Sequence, residues 1–239
     1  MKELGSVYIG IPTYDGRVQK NLTTALQKAT ANRIAKTTSI ITCSILTRAF
    51  NLLYAHALNE RRNGTSHFCL LHDDIVPEPL WLDKMMSIME KHRADVLSVV
   101  VPLKNDKGLT STALDMAVGD EDPHWRVKRL TLNEIYNDYE PTFTHEKLLV
   151  NTGLMLVDLR KPWVENVWFA FEDKIIPDPK IPGYFKAVGV SEDWFFSRRA
   201  CELGAKLYAT REISVLHAGT TEYSNASAWG SLSEDAVDE

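Results

Sequence analysis

Within the 239-residue sequence, the side chains that could do chemistry gather in a few short segments. Asp73-Asp74 follows an apolar run and precedes Ile75-Val76-Pro77. Carboxylates so placed can ligate a hard divalent cation through oxygen, and such a cation would neutralise a diphosphate. The same pair could instead cap a helix starting near Trp81. His217 closes a late apolar run and precedes Ala218-Gly219. Its imidazole could complete coordination of Mn²⁺ or a similar ion begun at Asp74, or be satisfied by neighbouring polar groups. Ser191-Glu192-Asp193 opens a helical pattern. There Ser can cap, and acids suit the positive end of the helix dipole. Alternatively Asp193 is a general base that takes the proton of an attacking hydroxyl. A helix N-terminus lowers a carboxylate pKa and weakens such a base unless burial raises it again.

The elements that must position these groups follow from periodicity. Residues 7–11 form a β-branched run ended by Pro12, and a helix is expected over 19–36 with Leu22, Ala25, Leu26 and Ala29 on one face. Strands are expected at 39–43, 67–71 and 95–101, with helices at 45–58 and 81–91 between them. This alternation predicts an α/β domain with a mainly parallel, doubly wound central sheet flanked by helices. Residues 104–147 lose the rhythm and read as functional loops, as does the Pro-rich stretch 175–183. Order resumes at 148–159, which contains Asn151-Thr152-Gly153. A helix from Ser191 to Glu202 stops at Gly204, and strands are expected at 206–209 and 213–216. One domain over residues 1–219 is expected, followed by a polar, acidic tail or lid over 220–239. Ligands in open α/β sheets bind outside the carboxyl ends of the strands, and the carboxylates and histidines collect at that predicted edge.

Composition narrows the class. A net charge of −5 excludes a uniformly basic nucleic-acid coat, and 44 % apolar content with six Trp excludes a disordered chain. Three cysteines, Cys43, Cys69 and Cys201, form no C-x-x-C pair and read as small core residues in a reducing compartment. No signal peptide or spanning segment is visible, so a cytoplasmic protein without membrane insertion is expected, and the sequons at Asn21, Asn63 and Asn225 read as chance. P-loop, G-x-G-x-x-G, G-x-S-x-G and H-E-x-x-H signatures are missing.

Taken together in order and spacing, these segments resemble the GT-A-fold nucleotide-sugar glycosyltransferases, particularly the family 2-like group, from Val7 to about Gly219. The opening Val7 to Asp15 is similar to that family's first strand and uridine-binding loop. The resemblance implies Pro12, Thr13 and Tyr14 near the nucleobase, with Asp15 or Arg17 beside them. Arg48-Ala49-Phe50-Asn51 looks like the helix whose Arg and Asn face the nucleotide. His72-Asp73-Asp74 sits where the family carries its D-x-D motif, with His72 at the usual first Asp. By this resemblance Asp73 lies at the nucleotide-sugar, Asp74 is a metal ligand, and Asn151 and Gly153 line the sugar and acceptor edge. Glu192-Asp193 is similar to the family's acidic acceptor-site motif, and His217-Ala218-Gly219 to its late metal-contacting element.

The implied chemistry is a Mn²⁺- or Mg²⁺-dependent, inverting transfer from a UDP-sugar to an acceptor hydroxyl. Asp193 would be the base, beside Glu192. The acceptor would be a glycan or, on the strength of Arg33, Lys36, Arg61 and Arg62 gathering on one face, a hydroxylated base in DNA. A nucleotidyltransferase and a non-catalytic nucleotide-sugar- or glycan-binding module are the alternatives.

Overall fold

The computed structural model describes residues 5–31, 34–116, 127–178, 180–219 and 222–230. β1 (Ser6–Thr13) is buried on both faces, which is why it reads as a continuous apolar run rather than an alternating one. Val7, Ile9 and Ile11 point to one layer of helices and Tyr8 to the other. Gly10 also faces the second layer, where a Cβ would press within about 3.0 Å of Leu53 and Phe68. α1 (Lys20–Gln27) packs Leu22 and Ala25 below the sheet. It ends well short of residue 36. The β-branched run Thr37 to Thr42 instead pairs in parallel with β1 as the edge strand β2 (Ala35–Thr42), so pairing overrides the helix formers before it.

α2 (Leu46–Glu60) covers the upper face with Phe50, Leu53, Tyr54 and Ala57. β3 (Thr65–Leu71) leads into the short β4 (Ile75–Pro77). α3 (Trp81–His92) covers the lower face with Trp81, Leu82, Met85, Ile88 and Met89, followed by β5 (Val96–Val99).

The stretch 104–147, expected as loop, contains β6 (Leu109–Asp115), β7 (Val127–Thr131), α4 (Leu132–Asp138) and β8 (Thr142–Phe143), with residues 117–126 outside the described set. α4 begins with a capping box: the Glu134 amide donates to Thr131 Oγ1 at 3.1 Å and the Thr131 amide to Glu134 Oε2 at 2.8 Å. Thr-x-x-Glu is a legible start signal that the irregular surroundings mask.

β9 (Leu148–Leu149) and β10 (Leu154–Asp158) follow, separated by Val150 to Gly153. The second expected loop is a hairpin, β11 (Glu172–Pro177) and β12 (Phe185–Val190), whose Ile175 and Phe185 are exposed. α5 (Glu192–Glu202), β13 (Leu207–Thr210), β14 (Val215–Ala218) and β15 (Glu222–Ser224) complete the described chain.

The central sheet has the order β2-β1-β3-β10-β5-β13-β8. β10 and β8 run against the other strands, which are mutually parallel. The fold is therefore the expected α/β domain with a mainly parallel sheet between helical layers. Because β10 is antiparallel, its start lies at the carboxyl edge of the parallel strands, with Leu154 opposite Leu71. That reversal brings Asn151-Thr152-Gly153 beside the end of β3. Residues 222–230 continue against the body: β15 pairs with β14, and Asn225 is fully buried, bonded to Val215, Val100 and Ile213.

Candidate functional site

Asp74 and His217 meet through a small sheet beside the main one. β4 lies antiparallel to β14, with Ile75 opposite His217, and the Ala218 amide donates to the Asp74 carbonyl at 2.8 Å. His217 thus sits within a strand rather than after one, because pairing with β4 extends β14 past residue 216. His217 Nε2 is 3.3 Å from Asp74 Oδ2, and its Nδ1 is 2.7 Å from the Pro102 carbonyl oxygen. A carbonyl carries no proton, so Nδ1 donates, and Nε2 faces the carboxylate. Either a second proton on the ring or a cation reconciles those two groups. Lys104 Nζ donates to the same Asp74 oxygen at 2.6 Å. Burial opposes ionisation of Asp74, but the hydrogen bonds from His217 and Lys104 outweigh it and hold the carboxyl well below the usual range.

Asp74 Oδ1 is buried and, among the described residues, has no hydrogen-bond partner. A buried carboxylate oxygen left without a donor is what a cation ligand looks like when protein groups alone are counted. Among the described residues no group of three or more His, Cys, Asp or Glu converges. Asp74 and His217 would therefore supply one carboxylate and one imidazole, a donor set suited to Mn²⁺ or Mg²⁺ with the remaining positions left to ligand oxygens. The capping alternative fails. The residue capping α3 is Leu80, without a side-chain bond, and the acid in its first turn is Asp83.

Around this pair lie the other strand-end residues. Burial raises the pKa of Asp73, the charge of Asp74 adds to this, and Lys104 opposes it. Asp15 also bears on Asp73, which places the β1 and β3 loops at one edge. Burial drives His72 down to about 4, so its ring is neutral. Its ring lies tilted against Phe50, centroids 5.2 Å apart, and its Nε2 is 3.2 Å from Thr152 Oγ1. Thr13 is buried, bridging Thr42 and the Gly16 amide, whereas Tyr14 is 77 % exposed at the rim. Pro12 is buried in β1, and Arg17 pairs with Asp15 at 3.4 Å.

Asn51 is committed elsewhere: both its amide atoms bond the Phe169 backbone, at 2.7 and 2.9 Å. Arg48, one turn earlier, is exposed. Asn151 is likewise committed, to Val99, Thr112 and the Gly153 amide, and serves to shape the turn into β10. Gly153 accepts the His72 amide at 2.9 Å.

Asp193 stands in the first turn of α5. Ser191 precedes the helix, but its hydroxyl donates to Asp193 Oδ1 rather than to a backbone amide. The Trp194 amide donates to the same oxygen at 2.9 Å, leaving Oδ2 to take a proton. Burial raises the carboxyl to about 7 against the Ser191 hydrogen bond, with Glu192 adding to the rise and Arg129 opposing it. Glu192 is itself raised by burial. The competition between helix dipole and burial is thus won by burial, and a carboxyl titrating near neutrality is suited to general base work.

A chain of contacts joins the two halves. Trp194 Nε1 donates to Ser111 at 3.4 Å, the Ser111 amide donates to Val101 at 3.0 Å, and the next residue, Pro102, holds His217. Arg129 lies 4.6 Å over the Trp194 ring.

Lys104 and Arg129 escaped the sequence reading, and Thr152 entered it only as the middle of Asn151-Thr152-Gly153. For Lys104 the signal was available, since it follows the end of β5 at the carboxyl edge. The described members of the basic set do not flank the site. Lys36 lies at the start of β2 and Arg61-Arg62 precede β3, at the opposite edge of the sheet, with Arg61 paired to Glu165 at 2.5 Å. Arg33 lies outside the described residues.

No protein-family model and no curated protein matches the chain. Among solved structures it is similar to S. aureus TarS 1–349 in complex with UDP-GlcNAc, at 12 % identity and a TM-score of 0.46, over 87 % of this chain and 56 % of that one. The same protein in complex with UDP gives 12 % identity and a TM-score of 0.46 over 87 % and 58 %. A protein described as a UDP-N-acetylglucosamine pyrophosphorylase of Entamoeba histolytica gives 9 % and 0.41 over 87 % and 74 %. The chain spans a little over half of the TarS 1–349 chains it matches.

Proposed function

We propose that this protein is a metal-dependent glycosyltransferase that moves a sugar from a UDP-sugar to an acceptor hydroxyl with inversion. The observation that carries the reading is Asp74. It is an ionised, partly buried carboxylate at the carboxyl edge of the sheet, with Oδ1 buried and lacking a donor among the described residues and Oδ2 facing His217 and Lys104.

Asp74 and His217 would hold Mn²⁺ or Mg²⁺, which when bound supplies charge neutralisation for the departing diphosphate. Tyr14, exposed at the end of β1, offers a ring face to the nucleobase, with Asp15 and Arg17 beside it. Asp193 accepts the proton of the attacking hydroxyl on Oδ2, while Ser191 and the Trp194 amide fix the carboxyl through Oδ1. Arg48 and Asp73 remain candidates for donor contacts. Asn51, Asn151 and Gly153 act by shaping the walls.

The acceptor is a glycan in this reading, because Lys36, Arg61 and Arg62, which would have favoured DNA, lie at the far edge. No helix among the described residues is long and apolar enough to cross a membrane.

The test is release of UDP from a panel of UDP-sugars with glycan and hydroxymethylated-DNA acceptors in Mn²⁺. Wild type should release UDP with one sugar and Asp74→Asn should not. Pyrophosphate release from UTP, with no release of UDP from any sugar, would overturn the reading in favour of a nucleotidyltransferase.

A further inference from the structure

The group left over by the mechanism is Lys104. Its ammonium occupies Asp74 Oδ2, the oxygen that His217 Nε2 also faces. A divalent cation held by that carboxylate and that imidazole would meet a like charge at hydrogen-bond distance. The two cannot share the oxygen without strong repulsion in a partly desolvated site.

Lys104 is not there by accident of a loose loop. The Leu103 amide donates to Leu109 at 2.8 Å, the Asn105 amide to Leu103 at 2.9 Å, and the Lys107 amide to Asn105 Oδ1 at 3.0 Å. Gly108, at φ +77°, then packs its backbone directly on Trp229 and Gly230, so that a Cβ at Gly108 would fall on the Trp229 carbonyl. Asn225, buried and bonded to the backbone of Val100, anchors the segment that does this packing. The loop backbone is thus fixed while the Lys104 side chain, 38 % exposed, keeps four rotatable bonds toward solvent.

We propose that Lys104 is a tethered counter-cation. It holds the Asp74 carboxylate in position until the metal and diphosphate arrive, then yields the carboxylate and places its ammonium on the diphosphate. The inference rests on the donor-site reading above and deepens it. Two opposite effects follow from one side chain. Removing the ammonium relieves competition for Asp74, so the metal alone should bind more tightly. Removing it also deletes a phosphate contact, so the nucleotide should bind more weakly once metal is saturating.

The experiment is calorimetric titration of Mn²⁺ alone, then of UDP at saturating Mn²⁺, into wild type, Lys104→Met and Lys104→Arg. Thermal melts establish that each variant is folded, and the arginine variant retains the charge should the methionine variant melt early. Lys104→Met should bind Mn²⁺ about fivefold more tightly, the upper end expected for losing a half-exposed ion pair. It should bind UDP about tenfold more weakly, and Lys104→Arg should stay within about twofold of wild type for UDP. Mn²⁺ affinity unchanged in folded Lys104→Met would overturn the counter-cation role. Unchanged UDP affinity would overturn the transfer to diphosphate. Wild type binding neither Mn²⁺ nor UDP would remove the donor site itself, a failure distinct from both.

Discussion

Replacing Asp193 by Asn should make the protein more stable and far less active, and the stability gain should depend on pH. Burial holds the Asp193 carboxyl at about 7. An aspartate in the unfolded chain titrates at about 4. The folded state therefore binds a proton that the unfolded state has lost between those values. Stability from this group is fully present below about pH 4 and is lost as pH rises through about 7. At about 1.4 kcal/mol per pH unit, the ionised fold pays up to roughly 4 kcal/mol above pH 7.

Asp193 keeps some contact with water, so about half of that, roughly 2 kcal/mol, is the expected difference. Asn has the same shape, keeps an oxygen for Ser191 and Trp194, and carries no charge to desolvate. Urea unfolding of wild type and Asp193→Asn should therefore coincide near pH 4.5 and diverge by about 2 kcal/mol in favour of the variant at pH 8. Turnover should meanwhile fall by about a thousandfold, within the range for loss of a general base. In wild type kcat/KM should rise with pH through about 7 and then level. A variant less stable than wild type at pH 8, or one retaining near-normal turnover, would refute the reasoning.

Two further perturbations probe the frame of the site. His217→Ala should weaken Mn²⁺ binding at least about tenfold by titration, and an unchanged affinity would strike His217 from the ligand set. Gly108→Ala forces a side chain onto the Trp229 backbone at a left-handed φ and should cost about 2–3 kcal/mol in urea unfolding. A loss under about 0.5 kcal/mol would show that the packing of residues 222–230 on this loop does not persist in solution.

The parallel half of the sheet and its helices were legible because their burial is two-sided and their periodicity strong. β1, β3, α2, α3 and α5 all lie where their apolar patterns put them. What failed was decided by strand pairing rather than by local pattern. The strand expected at 39–43 is β2, but it begins four residues earlier, at Ala35. It is an edge strand with mostly exposed side chains, so only its pairing with β1 distinguishes residues 35–38 from the end of a helix. β11 and β12 pair with one another beyond the core, and prolines at 177 and 182 made them look like a loop.

Candidates could be picked out by position alone, Asp74 by the topological rule at the carboxyl edge and Asp193 by its place at a helix start. Their protonation could not. The pKa of Asp193 depends on its burial and on the charge of Arg129 from β7, and that of Asp74 on a lysine thirty positions away. Asn51 and Asn151 illustrate the converse. Their type and position suit a nucleotide contact, but each has spent its amide on backbone groups that only the folded chain supplies.

The central claim is a metal-dependent nucleotide site built on Asp74 and His217. Calorimetric titration of UDP into the purified protein, first with Mn²⁺ and then with excess chelator, tests it most directly. The account predicts saturable binding with Mn²⁺ that the chelator abolishes. Absence of binding in both conditions, or binding indifferent to the chelator, would contradict it.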